Sequence, residues 1–129
     1  MATITSGATG DWSATGTWVG SVVPVVGDKV IIASPHVVTV DDTSRAGGDD
    51  TSTGIEVQSG ATLKFSRTAD STLAVRGDIN VNAGGILDMG TSGDAIPVTY
   101  TATLRVNDSA SLAAGKWGLD AQEGGQFYA

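Results

Sequence analysis

One pattern limits what this chain can fold into: apolar-x-apolar-x-x-small-x-x-apolar. It is written at Ile55-Glu-Val57-Gln-Ser-Gly60-Ala-Thr-Leu63 and again, 24 residues later, at Ile79-Asn-Val81-Asn-Ala-Gly84-Gly-Ile-Leu87. Leu104-Arg-Val106-Asn-Asp-Ser109-Ala-Ser-Leu112 reads as a third copy. Leu119-Asp-Ala121-Gln-Glu-Gly124-Gly-Gln-Phe127 reads as a weaker fourth, at offsets of 25 and 15 residues. Two alternate apolar residues bury one side of a short strand. The small residue then turns the chain where positive φ is needed, and the last apolar residue opens a strand that meets the core from another direction. One such unit cannot cover its own inner face, so units must stack. About 24 residues per coil suits three short strands and three turns.

Other segments support an all-β chain. Lys29-Val-Ile-Ile32, Val37-Val-Thr-Val40, Thr62-Leu-Lys-Phe65, Thr72-Leu-Ala-Val75 and Ile86-Leu-Asp-Met89 are short strands that alternate or run apolar between turn residues. The 18 glycines in 129 residues are dispersed and serve as turn punctuation. The expected fold is a short parallel β-solenoid, right-handed β-helix-like, with a β-sandwich or jelly roll as the alternative. Residues 1–28 are expected to be an N-terminal cap or arm containing Trp12 and Trp18, and residues 29–129 the β-repeat domain. Residues 41–54 (DDTSRAGGDDTSTG) read as an exposed polar loop, and residues 90–101, with Gly93 and Pro97, as a second excursion.

The opening is distinctive. Trp12-x5-Trp18-Val-Gly20-x3-Pro24-x2-Gly27-Asp28-x-Val30-x-Ile32, followed by Val37-Val38-Thr39-Val40-Asp41, resembles the start of G8-like β-helical modules. Similar openings occur in phage and bacterial surface β-helix proteins. The later segments Leu73-x-Val75-x-Gly77-Asp78-Ile79 and Gly84-Gly85-x-Leu87 are similar too, so the resemblance spans about residues 10 to 90. It implies a β-helical fold and transfers no catalytic residue. Independently of it, Trp12 and Trp18 are large enough to cover the open end of a solenoid, whose free strand edges invite aggregation.

The net charge is −7, and the seven basic residues are scattered, so no row of cations could neutralise nucleic-acid phosphates or an anionic membrane. There is no cysteine, which excludes disulfides and thiolate metal sites. No signal peptide is read at the N-terminus, and no apolar run approaches the roughly 20 residues of a membrane span. His36, the single histidine, follows Pro35 and reads as a loop residue. Asp41-Asp42 and Asp49-Asp50 lack ordered calcium-loop spacing. Asp70, Asp78, Asp88 and Asp94 are spread over turns and strands rather than paired for glycoside hydrolysis. Arg76-Gly77-Asp78 sits where the repeat needs a turn. Neither a catalytic site, a metal site nor a cofactor is expected.

These readings point to a structural protein of a phage virion, made in the host cytoplasm. It would be a capsid cement or decoration protein or a tail component, acting by contacts with other capsid or tail proteins. A homo-oligomer is expected, a trimer in particular. The candidate contact residues are Trp12, Trp18, Val23, Val25, Val26, Trp117, Phe127 and Tyr128. The alternatives are a carbohydrate-binding module using an exposed tryptophan pair, or a fragment of a larger β-helical surface protein.

Overall fold

The computed structural model describes residues 2–47, 53–91, 93–106, 119–121 and 126–128. Among these, the only helical element is a single 3-10 turn at Thr15–Thr17. Thirteen short strands run in chain order: β1 (Thr3–Thr5), β2 (Gly10–Asp11), β3 (Lys29–Ile32), β4 (Val37–Val40), β5 (Thr43–Ala46), β6 (Thr53–Val57) and β7 (Thr62–Phe65), then β8 (Ser71–Val75), β9 (Asp78–Val81), β10 (Ile86–Asp88), β11 (Ala102–Val106), β12 (Leu119–Ala121) and β13 (Gln126–Tyr128). Every strand pair is parallel. The strands form three sheets, in the orders β1-β3-β6-β9-β12, β2-β4-β7-β10-β13 and β5-β8-β11. Each coil of chain gives one strand to each sheet, so β3-β4-β5, β6-β7-β8 and β9-β10-β11 are three complete coils of a β-solenoid.

Stacking brings like side chains into columns. In the first sheet Val30, Ile55 and Ile79 lie in register, as do Ile32, Val57 and Val81. In the second sheet Val38, Leu63 and Leu87 form a column beside Val40 and Phe65. In the third, Ser44, Leu73 and Leu104 align beside Ala46 and Val75. Almost all of these inward residues are fully buried. Each such aliphatic side chain contributes about 1.5–3 kcal/mol relative to exposure. The corners are as regular as the strands. Gly60 and Gly84 have φ of 83° and 84°, and the Gly60 N–H donates to the Gly84 carbonyl at 3.0 Å. A Cβ on Gly84 would lie 2.5 Å from Ser59 Oγ in the coil before, so the corner needs glycine for both its angle and its close stacking.

Two sequence readings are corrected. Residues 41–54 are not one exposed loop: Thr43–Ala46 form β5, with Ser44 and Ala46 buried, and Thr53 begins β6. Residues 48–52 lie outside the described ones. The reading missed β5 because its inward residues, Ser44 and Ala46, are too small and polar to make an apolar alternation. The segment at Leu104 does not continue the column of Ile55 and Ile79. It stacks on Leu73 in the third sheet, and Leu119 and Ala121 instead follow Ile79 and Val81, with Phe127 in register with Leu87. Strand spacing alone cannot distinguish faces of a three-sided coil, because each side carries the same apolar-x-apolar pattern.

Candidate interaction surface

Residues 2–28 form the first, incomplete coil. β1 pairs with β3 and β2 with β4, adding a strand to the ends of two sheets. The Trp12 N–H continues this ladder by donating to the Thr39 carbonyl at 2.7 Å. Trp12 and Trp18 pack edge to face, ring centroids 5.0 Å apart, and Trp18 Nε1 donates to the Trp12 carbonyl at 2.8 Å. Such pairs add about 0.5–1.5 kcal/mol beyond their area burial. The two rings are 1% and 3% exposed and belong to the core. The expectation that they face a partner or a sugar ring is therefore corrected: aromatic area this large is more stable closing the end of the solenoid than left in water.

What this end does expose is valine. Val19, Val22, Val25 and Val26 are 53–63% exposed, while Val23 is half-buried against the core and Pro24 is buried. The segment is held in shape by Asp28: its carboxylate accepts from the Val25 N–H at 3.1 Å, and its own N–H donates to the Val25 carbonyl. The Gly27 N–H then donates to the Gly47 carbonyl, and the Gly47 N–H to the Asp28 carbonyl. Of the other expected contact residues, Phe127 and Tyr128 lie on β13, and Trp117 lies outside the described residues. Val98 is a further exposed apolar side chain, missed in the sequence because Pro97-Val98 has no periodic neighbours.

Among the described residues, no strand pairs with β5 at this end of the third sheet. Chain 23–28 runs past this edge of β5 and is hydrogen-bonded to Gly47, the residue that follows the strand. A pocket of about 210 Å³ opens between them, lined by Trp12, residues 23–26 and residues 42–44. Ser44 Oγ donates to Asp42 at 2.9 Å along one wall. The indole N–H of Trp12 is buried without a hydrogen-bond partner.

The polar clusters elsewhere fasten the frame. Ser6 Oγ is 2.9 Å from His36 Nδ1 and also accepts the Ala33 N–H at 2.8 Å. Ser6 is buried, and the pair ties β1 to the turn holding the cis Ser34–Pro35 bond. Arg67 donates to the Phe65 carbonyl, the Asp94 carbonyl and Asp88 Oδ1 at 2.7, 3.1 and 2.8 Å. Lys64 and Arg67 both approach Asp94, so the 90–101 excursion is pinned to β7 and β10. Charge-assisted bonds of this kind contribute about 1.5–3 kcal/mol each when their partners are mostly buried. Arg67→Ala is expected to lower unfolding free energy by about 2–3 kcal/mol. Arg67→Lys should recover only part of it, because an ammonium cannot reproduce the planar fork. Urea denaturation of the two variants checks this. Equal stability of wild type and Arg67→Ala would show the fork to be solvated and inert. Arg76-Gly77-Asp78 forms the corner between β8 and β9, with Gly77 at φ 98°.

Strand order, coil length and the tryptophan-closed end define the class: a parallel β-solenoid module of about three turns. Within that class the chain belongs to the G8 domain family, whose model matches residues 17–127. Comparison with curated proteins and with solved structures returned no match.

Proposed function

We propose that this G8 domain is a structural module working through protein–protein contacts, and specifically a component of a phage particle, either a capsid cement or decoration protein or a tail component. The observation that carries the protein-binding part is the valine-rich segment at the closed end. Four valines more than half exposed on one short, hydrogen-bonded segment give up aliphatic area to water that a partner surface would recover. At about 25 cal/mol per Å² of apolar surface removed from water, a patch of this kind supports association when the surrounding rim fits. The phage assignment is supported by the threonine-, serine- and glycine-rich repeat and by the resemblance of the opening to those of phage and bacterial surface β-helix proteins. A self-association through the same valines, as a trimer, goes with this reading.

A second reading is a module of a larger β-helical surface protein. It is favoured by β12 and β13, which end the first two sheets as terminal strands of a parallel ladder that further coils could extend.

The test is the mass of the chain in solution, alone and with purified phage particles. The expected result is a discrete oligomer and saturable co-sedimentation with particles. The double variant Val22→Asp, Val25→Asp should weaken association at least tenfold while leaving the circular dichroism spectrum unchanged. A strict monomer with no affinity for capsids or tails would overturn the virion reading. A tenfold loss in self-association alone would leave the protein-binding reading standing without it.

A further inference from the structure

The outer edge of β5, which no described strand pairs, has the chemistry of a strand-binding slot. In a parallel ladder, alternate residues turn both backbone groups to the same side. The Thr72 N–H donates to the Asp42 carbonyl and the Arg76 N–H to the Ala46 carbonyl. Residues 42, 44 and 46 therefore face β8, and Thr43 and Arg45 present their N–H and C=O groups to the opposite edge. Among the described residues, chain 23–28 hydrogen-bonds to that edge at Gly47. Beside Thr43 it stands off, leaving the 210 Å³ pocket. Three kinds of group surround the gap: a backbone edge, aliphatic side chains from Val23, Val25 and Val26, and Trp12, whose buried indole N–H has no acceptor. A buried donor left in that state costs about 1–3 kcal/mol. Asp42 is exposed at the rim, in a chain of net charge −7.

We infer that the edge of β5 with its adjoining pocket is a docking slot for one extended peptide strand of a partner, carrying an aliphatic side chain flanked by lysine or arginine. The strand adds to the third sheet by main-chain hydrogen bonds at Thr43 and Arg45. Its aliphatic side chain fills the pocket between Trp12 and the valines, and its basic residue faces Asp42. A small apolar ligand would fill the pocket but leave the Thr43 edge open; a single strand answers both. The inference rests on the reading of this domain as a protein-binding module, and supplies the mode of contact.

The probe is an acetylated, amidated hexapeptide of alternating threonine and valine with lysine at both ends, titrated into the ¹⁵N-labelled domain at low salt. Saturable shifts of the Thr43 and Arg45 amides and of the Trp12 indole N–H are expected. Thr43→Pro removes an edge donor that the β5–β8 ladder does not use, and proline is tolerated on sheet edges. It should weaken binding at least tenfold. Val25→Arg, at an exposed position, should do the same by repelling the lysines, so the outcome does not hang on one variant's folding. The same peptide ending in aspartate should bind at least tenfold more weakly. Shifts absent, or confined to residues away from β5 and Trp12, would overturn the slot. If the peptide fails while the domain still binds particles or itself through its valines, the slot is wrong and the protein-binding reading survives. If the peptide binds as expected but no particle associates, the slot stands and the virion reading falls.

Discussion

Gly47→Ala is expected to destabilise the domain by at least about 3 kcal/mol, a fall in Tm of roughly 10 °C for a chain of this size. Two costs combine. Gly47 has φ of 86°, a left-handed conformation that costs an alanine about 1–2 kcal/mol. The added Cβ would also lie 1.8 Å from the Arg76 carbonyl oxygen. That neighbour is backbone in the next coil, so it cannot swing aside as a side-chain tip would. The damage would not stay local, because Gly47 also exchanges both backbone hydrogen bonds with Gly27 and Asp28. Those bonds hold the valine segment against β5. Hydrogen exchange should therefore show lost protection in residues 23–28 as well as at the β8–β9 corner. Gly16→Ala is the matched control: no atom lies within 4 Å of the new methyl group, and the change should stay within about 0.5 kcal/mol. Equal stability of the two variants would show that neighbouring coils separate freely at this corner.

Leu63→Ala should cost about 3–5 kcal/mol, measured by urea denaturation. Leu63 is fully buried in the middle coil, between Val38 and Leu87 in its own column. Neighbours on both sides are tied into parallel ladders, so the cavity cannot close by collapse, and the loss should fall in the upper part of the range for leucine truncation. Leu63→Met, which keeps most of the volume, should cost less than about 1.5 kcal/mol. Leu104→Ala should also cost less than Leu63→Ala, since Leu104 is half-buried. A Leu63→Ala cost no larger than that of Leu104→Ala would mean that the coils do not share one continuous core.

The paired repeats at residues 55–63 and 79–87 were legible because each inward residue is large and apolar and each corner carries glycine. Ile55 and Ile79, Val57 and Val81, and Leu63 and Leu87 stack as the pattern implies. β5 was not legible, since Ser44 satisfies its hydroxyl locally on Asp42 and so needs no apolar signature. β1 and β2 were hidden for a related reason: with three and two residues they are too short to show a period. Val23, Val25 and Val26 stood out in the sequence as candidate contacts, whereas exposed Val19 did not. The pocket beside residues 23–26 did not either, because it depends on an edge of β5 that no described strand pairs.

Strand alternation and glycine-marked corners by themselves determined that this chain folds as stacked parallel coils, because a two-residue period buries one side and a recurring turn brings the next side to the same interior. Only the tertiary structure decided which of the three sides each segment occupies. Leu104 and Leu119 carry the same local pattern, and the length of chain between corners, not the residues themselves, sends one to the third sheet and the other to the first. It also decided that Trp12 and Trp18 close the core while the valines beside them face water. A tryptophan and a valine are equally apolar on paper, and only the shape of the open end selects which one it can hold.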